Sequence, residues 1–463
     1  MVDALTHTHT HAGAMPDELS GMASAATREF VDQHRGDDVR ELALHAKRTD
    51  DVDMPFALNQ IAGWQTARTK LPEWAAHHEI IYPPHLSMEQ CSSQFTAHVK
   101  MRLAQRVLQE AGIQPQRFAD LTGGFGVDCS YLARLFTDAD YVEQQPHLCT
   151  IAQHNYAALA LTQVHVHQAD ARKYLESING EGTAKPYDLI YLDPARRDGH
   201  GARTVAIEDC TPNVLEMKDG LLRAAHAVMI KLSPMLDWRQ AVEQFEGSVS
   251  HVVIVSAGNE CKELLLVLQE RDDAADCTML AINDDQQLEY VLGHESQARL
   301  NGWNGEPGNG ESSAGSGLQL TVEALEELAE RGELYMYEPN ASIMKAGAFD
   351  VLEQLMPVTQ VGPHSHLFVG TQLIDQFPGR KFQVTSLGTM NKQSLKTQLQ
   401  RLRERQQGEG RKTLQANVAV RNFPLTVQQL RKKLKLSDGG SDYLFATTLG
   451  RDTHTLFWCR KAA

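Results

Sequence analysis

The chain has 463 residues, 42% of them hydrophobic and 22% charged, a globular balance that excludes a disordered or fibrous protein. Its formal net charge of −15 conceals a split: residues 380–463 carry 17 Lys/Arg against 5 Asp/Glu, a balance of +12, and 1–379 carry 27 against 54. A uniformly acidic surface is therefore excluded, and two surfaces with different partners are expected.

At this length about two to four domains are expected. No apolar run approaches the ~20 residues of a membrane span. The seven cysteines are scattered without a CxxC pair, so neither a zinc ribbon nor a disulfide framework is indicated. The N-terminus lacks the basic and apolar regions of a secretory signal, which makes a cytoplasmic location the expectation. Residues 1–25 read as a disordered leader; its alternating His7, His9 and His11 are a polar terminal tract, and no metal site is expected. Residues 26–110 read as a helical N-terminal domain, interrupted at Pro83-Pro84 and resumed over about 92–110.

From Arg117 short apolar strands alternate with helices. The predicted strands are 118–121, 140–143, 164–168, 189–192, 227–232 and 251–256, with helices near 127–136, 147–160, 214–224 and 238–245. Repeated βα units imply an α/β fold with a doubly wound, mostly parallel, Rossmann-like sheet over 111–300. Segment 301–317, rich in Gly, Ser and Asn, reads as a linker, 318–379 as a mixed α/β segment, and 380–463 as a small basic α+β domain.

Chemistry concentrates at the predicted strand ends. Phe118-Ala-Asp-Leu-Thr-Gly-Gly-Phe-Gly-Val-Asp128 places Asp120, Thr122, Gly123, Gly124 and Gly126 between a strand and a helix N-terminus. Glycines there let the backbone approach a ligand, and the helix start offers free N–H groups. The alternative is a structural turn; the phosphate-binding GxGxxG spacing is absent. Glu143 closes the next strand, where a carboxylate can accept two hydrogen bonds from a ribose diol. Asp170 ends the third strand and Asp193 the fourth, so Asp120, Glu143, Asp170 and Asp193 fall at successive strand ends, the ligand-binding edge of open α/β sheets.

This series resembles the class I S-adenosylmethionine-dependent methyltransferases over about residues 95–260. The resemblance implies S-adenosyl-L-methionine as cofactor, with Gly124, Gly126 and Asp120 at its methionine part, Glu143 at the ribose and Asp170 at the adenine. The longer chain is similar to a bacterial methyltransferase family with a C-terminal THUMP-like domain, on Tyr82-Pro-Pro-His-Leu-Ser-Met-Glu-Gln-Cys-Ser-Ser93, Asp193-Pro-Ala-Arg-Arg-Asp198, Gly258-Asn-Glu-Cys-Lys-Glu-Leu264 and Val420-Arg-Asn-Phe-Pro424. That likeness implies RNA methylation.

Asp193 and Pro194 stand where methyltransferases of exocyclic base nitrogens carry a related motif, whose side chain and proline carbonyl accept from the amino group. Here the second proline and the aromatic residue of that motif are missing. Arg196 and Arg197 could clamp a phosphate or pair with an acid such as Asp198. Lys231 reads as a solvated strand end, Cys261 as packed at a strand-to-helix junction, and neither Cys91 nor Cys210 has the sequence context of a covalent nucleophile. Segment 83–93 reads as a lid or a connector.

Arg401-Leu-Arg-Glu-Arg405, Arg411-Lys412 and Arg431-Lys-Lys-Leu-Lys435 cluster positive charge, the last on an amphipathic helix over 425–436, followed by a strand pair. Such a module suits RNA docking by backbone and shape. The resulting expectation is a methyltransferase acting on a base in RNA, with Asp193, Pro194 and Arg196 at the acceptor. A small-molecule or protein methyltransferase and a non-catalytic RNA-binding scaffold are the alternatives.

Overall fold

The computed structural model describes residues 24–46, 50–180, 185–196, 206–271, 276–302, 318–406 and 413–462. The chain divides into two compact units, 1–249 with 265–273, and 250–264 with 274–463. The leader histidines and most of the 301–317 segment lie outside the described residues.

Unit one opens with helices at Ala25–His34, Val39–His45, Met54–Lys70, Pro72–Ala75, His85–Gln90 and Gln94–Glu110. Four of them begin at a polar cap: Ser24, Asp38, Asp53 and Ser93 each accept a backbone N–H from the first turn. Each such cap is worth about 1 kcal/mol. The Pro83-Pro84 break is held in place from both sides. Gln60 binds the Tyr82 backbone through both amide atoms, and Asn155 does the same for Ile81.

A parallel sheet follows, built from β1 (Arg117–Asp120), β2 (Asp138–Glu143), β3 (Val164–Gln168), β4 (Tyr187–Leu192) and, after the two-residue pair β5 (Ala195–Arg196) and β6 (Cys210–Thr211), β7 (Ala225–Leu232). The order is β3-β2-β1-β4-β7. Most side chains of β4 and β7 are buried, because helices cover both faces of such a sheet; this is why these strands read as apolar runs rather than alternations. Chain order reverses between β1 and β4, which opens a crevice at their carboxyl ends.

In unit two β8 (Val249–Ala257) leads through Gly258 and Asn259, with φ of +58° and +63°, into β9 (Glu260–Leu268). Two successive positive φ values reverse the chain into a hairpin. Cys261 therefore stands within a strand, which corrects the expected strand-to-helix junction. β10 (Thr278–Asn283) runs parallel to β8, and β11 (Gln286–Val291) and β12 (His294–Leu300) continue antiparallel.

The remaining strands are β13 (Tyr335–Pro339), β14 (Thr359–Gln360), β15 (Phe368–Gly370), β16 (Gly379–Thr389), β17 (Asn417–Val420), β18 (Asp442–Leu449) and β19 (Thr453–Lys461). They form a sheet in the order β14-β15-β13-β16-β19-β18-β17. Helix Val322–Glu330 seals one apolar cluster through Leu325 and Ala329, against Phe382, Phe445 and Phe457. Helices Lys392–Gln406 and Val427–Leu434 seal another through Leu402, Leu430 and Leu434, against Leu444, Leu456 and Trp458. Alternation along β18 and β19 feeds both clusters, and each fully buried large side chain contributes roughly 1.5–3 kcal/mol.

Candidate functional site

The glycine loop is shaped by two tyrosines. A Cβ on Gly123 would lie 2.1 Å from the Tyr141 ring, and one on Gly126 would lie 2.4 Å from Tyr156 Oη. Gly126 also adopts φ +87° at the start of helix Val127–Leu132, a conformation that glycine alone enters cheaply. Gly124 is left-handed too, at φ +55°, but its Cβ direction is open, with nothing nearer than 3.8 Å. The loop thus presents Gly124 as its accessible backbone.

Glu143, buried at the end of β2, holds this loop. Its Oε2 accepts the Gly124 N–H at 2.9 Å and its Oε1 accepts the Gln145 N–H at 2.8 Å. Each carboxylate oxygen has two acceptor positions, so one remains on each. Asp120, 1% exposed, accepts the Thr122 N–H at 3.0 Å. Burial pushes its carboxyl well above the usual range against that one N–H, and the negative charges of Asp128, Asp193 and Glu143 push the same way. Thr122 Oγ1 in turn accepts the Asp193 N–H at 2.5 Å, tying the ends of β1 and β4 together.

Asp170 is exposed and caps the next helix: its Oδ1 accepts the Arg172 and Lys173 N–H groups at 3.1 and 3.2 Å. That is the ordinary work of a carboxylate after a strand. Both of these bonds fall on one oxygen, which leaves Oδ2 to accept from a ligand.

Two lysines balance the acidic edge. Lys231, at the end of β7, donates to Asp193 Oδ2 at 2.6 Å and is only 13% exposed, so it is no solvated strand end. Desolvation raises the Asp193 carboxyl, and Lys231 opposes the rise. Lys100, fully buried on helix Gln94–Glu110, donates to Asp128 Oδ1 at 3.0 Å. Asp128 Oδ2 accepts the Ser92 and Tyr191 hydroxyls, both at 2.7 Å. Burial pushes Asp128 up, but Lys100, Lys231 and the two hydroxyls outweigh it and hold its pKa below the usual carboxylate value.

Asp120, Thr122, Gly123, Gly124, Gly126, Glu143 and Asp193 are thereby brought to one edge, with Asp170 at the end of β3. Pro194 is buried directly after Asp193. The Arg196 backbone pairs with Cys210 in β5–β6, but its side chain, like all of Arg197, lies outside the described residues. Cys210 is buried, and burial raises the Cys91 thiol, so neither is poised as a thiolate. Segment 83–93 reaches the site through Ser92. Lys100, Asp128 and Lys231 are the contributors that sequence reasoning passed over. For Lys100 a signal exists: it shares the helical face of Thr96, Ala97, Leu103, Ala104 and Val107, all buried. Among the described residues no cluster of His, Cys, Asp and Glu is arranged to hold a metal, and no helix is long and apolar enough to cross a membrane.

The edge offers four carboxyl groups against two lysines, along with a helix N-terminus. A pyrophosphate would meet repulsion there, whereas a ligand carrying positive charge and hydroxyl groups would find partners.

Comparison with known proteins agrees with this architecture. Residues 335–378 match a ferredoxin-like domain family and residues 379–461 a THUMP domain-like family. The structure described as "Crystal structure of putative methyltransferase from Porphyromonas gingivalis W83" superimposes with a TM-score of 0.72 at 25% identity, covering 97% of this chain and 100% of that one. An S-adenosylmethionine-dependent methyltransferase from Agrobacterium tumefaciens covers 37% of this chain and 61% of its own at 16% identity and a TM-score of 0.29. An rRNA methylase from Streptococcus thermophilus covers 34% and 89% at 14% identity and a TM-score of 0.25. No curated protein matches the sequence. The chain has a methyltransferase-type α/β fold. It continues into a ferredoxin-like and then a THUMP-like domain.

Proposed function

We propose that the protein is an S-adenosylmethionine-dependent methyltransferase that modifies a base in RNA. The observation that carries this reading is the acidic, glycine-lined edge of β1, β2 and β4, which suits a cationic amino-acid–nucleoside cofactor and not a dinucleotide. Bound S-adenosylmethionine supplies a methyl group on a sulfonium. The open Gly124 backbone lies against its methionine part, beside Asp120. The remaining acceptor positions of Glu143 take the ribose hydroxyls, and Oδ2 of Asp170 takes the adenine amino group.

On the acceptor side, Asp193 and the Pro194 carbonyl accept from an amino group and aim its lone pair at the methyl. Lys231 keeps the Asp193 carboxylate charged and fixed. Arg196 serves as the anionic clamp, and residues 380–463 dock the RNA. Titration calorimetry with S-adenosylmethionine is expected to show binding that Glu143→Ala weakens at least tenfold, the loss of about 1.4 kcal/mol. Absence of binding, or an unchanged affinity in the variant, overturns the cofactor assignment. Transfer of labelled methyl to total RNA, with none to protein or metabolite fractions, tests the acceptor.

One observation favours the second reading, a small-molecule or protein acceptor. Within the basic segment, Arg380 and Arg421 are paired with Glu338, Arg401 with Glu326 and Glu330, Arg405 and Arg460 with Asp442, and Arg431 with Asp438. The charge left for a polyanion is smaller than composition suggests. Label in a protein or metabolite fraction alone would select that reading.

A further inference from the structure

The helices that precede the sheet enclose a cavity of about 330 Å³ that plays no part in the site described above. Its lining combines the apolar surfaces of Phe56, Ile80, Ile81 and the Tyr82 ring with the polar groups of Arg28, Arg35 and His78, opposed by Asp32 and Glu79.

Two polar atoms in this lining, Tyr82 Oη and Arg35 Nε, are buried without a hydrogen-bond partner among the described residues. Tyr82 is only 4% exposed, and burial holds its phenol protonated, so it remains a donor. A buried donor left unpaired costs about 1–3 kcal/mol, and native proteins leave few of them. Neither group is free to swing away. Gln60 and Asn59 fix the Tyr82 backbone. Arg35 bonds the His78 ring and carbonyl, pairs with Asp32 at 3.0 Å, and lies 5.4 Å from the Trp64 ring centre.

Both unpaired atoms donate, so the missing partner must accept. Arg28, exposed and without an ion partner among the described residues, adds a positive charge at the same cavity. A purely apolar ligand would leave the two donors unpaired, and a bare anion would leave the aromatic and aliphatic lining unused. A planar ring joined to an anionic group satisfies both, and the volume falls at the lower end of small-molecule pockets, about 300–1,000 Å³.

We propose that this cavity binds a 5′-mononucleotide unit, its base against Phe56, Ile81 and Tyr82 and its phosphate held by Arg28 and Arg35. The unit can be a free nucleotide or one residue of an RNA strand. The inference does not depend on the methyltransferase reading, since no residue of the cavity belongs to the carboxyl edge.

The test is titration calorimetry of the full chain with AMP, GMP, CMP and UMP in turn, and with a short single-stranded oligoribonucleotide. Binding is expected for at least one mononucleotide. Tyr82→Phe should weaken it about tenfold, as expected for the loss of one hydrogen bond to a charged or strongly polar group. Arg28→Gln, an exposed change outside the core, should weaken it as well. Glu143→Ala should leave this affinity unaltered, which separates the cavity from the cofactor edge. If the oligoribonucleotide loses affinity in the same two variants, the cavity reads a strand; if only the mononucleotides do, it is a free-nucleotide site. No binding by any mononucleotide, or binding indifferent to both Tyr82→Phe and Arg28→Gln, overturns the proposal.

Discussion

Asp120 and Asp128 stand eight positions apart with opposite electrostatic fates, and each makes a measurable prediction. Burial raises Asp120, helped by three neighbouring carboxyl groups. Above the ordinary carboxylate value of about 3.9 the unfolded chain releases this proton before the folded one, so wild-type stability declines as pH rises toward the folded value. Asn at 120 can still accept the Thr122 N–H and has no proton to lose. Melting temperatures measured from about pH 4 to pH 8 should therefore shift in favour of Asp120→Asn as pH rises; a constant difference would refute the assignment. Asp128 works in the other sense. Its pKa is lowered, so it contributes stability that is present above the ordinary carboxylate value and lost as pH falls below it. Asp128→Asn leaves Lys100 buried without its counter-charge, and chemical denaturation should show a loss of about 3–5 kcal/mol. The acid limb of the stability curve should flatten in the same variant.

At the scale of the element, the loop between β1 and its helix separates two kinds of glycine. Gly126 needs its positive φ and also lacks room, because Tyr156 Oη stands where a Cβ would go. Gly124 needs the φ but has open space. Gly126→Ala should therefore cost more than the roughly 1–2 kcal/mol of the left-handed conformation alone, and Gly124→Ala about that amount. Thermal melting should rank the two in this order, while calorimetry with S-adenosylmethionine should find that Gly124→Ala still folds but binds less tightly. The loop was legible in the sequence because its chemistry is local: a strand, a glycine run and a helix start fit within eleven residues. The same holds for the strand-end acids, each placed by a short apolar run. Ser92, Lys100, Asp128 and Tyr191 form a single network across separations of 8, 28, 36 and 63 positions, and no local pattern connects them.

Across the whole molecule, the basic segment divides into charges that build the domain and charges that remain for a partner. Asp442 is fully buried between Arg405 and Arg460. Removing one arginine in Arg405→Gln weakens a buried pair and should lower the domain's stability by about 3 kcal/mol or more. Lys432, Lys433 and Lys435 are exposed on and just after helix Val427–Leu434, with no ion partner among the described residues. Replacing these three by Gln should leave the melting temperature within a degree or two. The same change should lower the dependence of RNA affinity on salt, by about one unit of log–log slope for each phosphate no longer neutralised. An unaltered slope would argue that the domain serves assembly.

What the sequence by itself determined is the alternation of strands and helices, the carboxyl edge where a ligand binds, and the change of charge near residue 380. These follow from periodicity, turn chemistry and composition, all properties of neighbours along the chain. Only the tertiary structure decided which charges neutralise one another. It turned Lys231 from a solvated strand end into the partner of Asp193, made Lys100 the counter-charge of a buried acid, and tied six arginines of the basic segment into internal pairs. The reason is physical: an ion pair depends on separation in space and on exclusion of water, and neither quantity is written in the order of the residues.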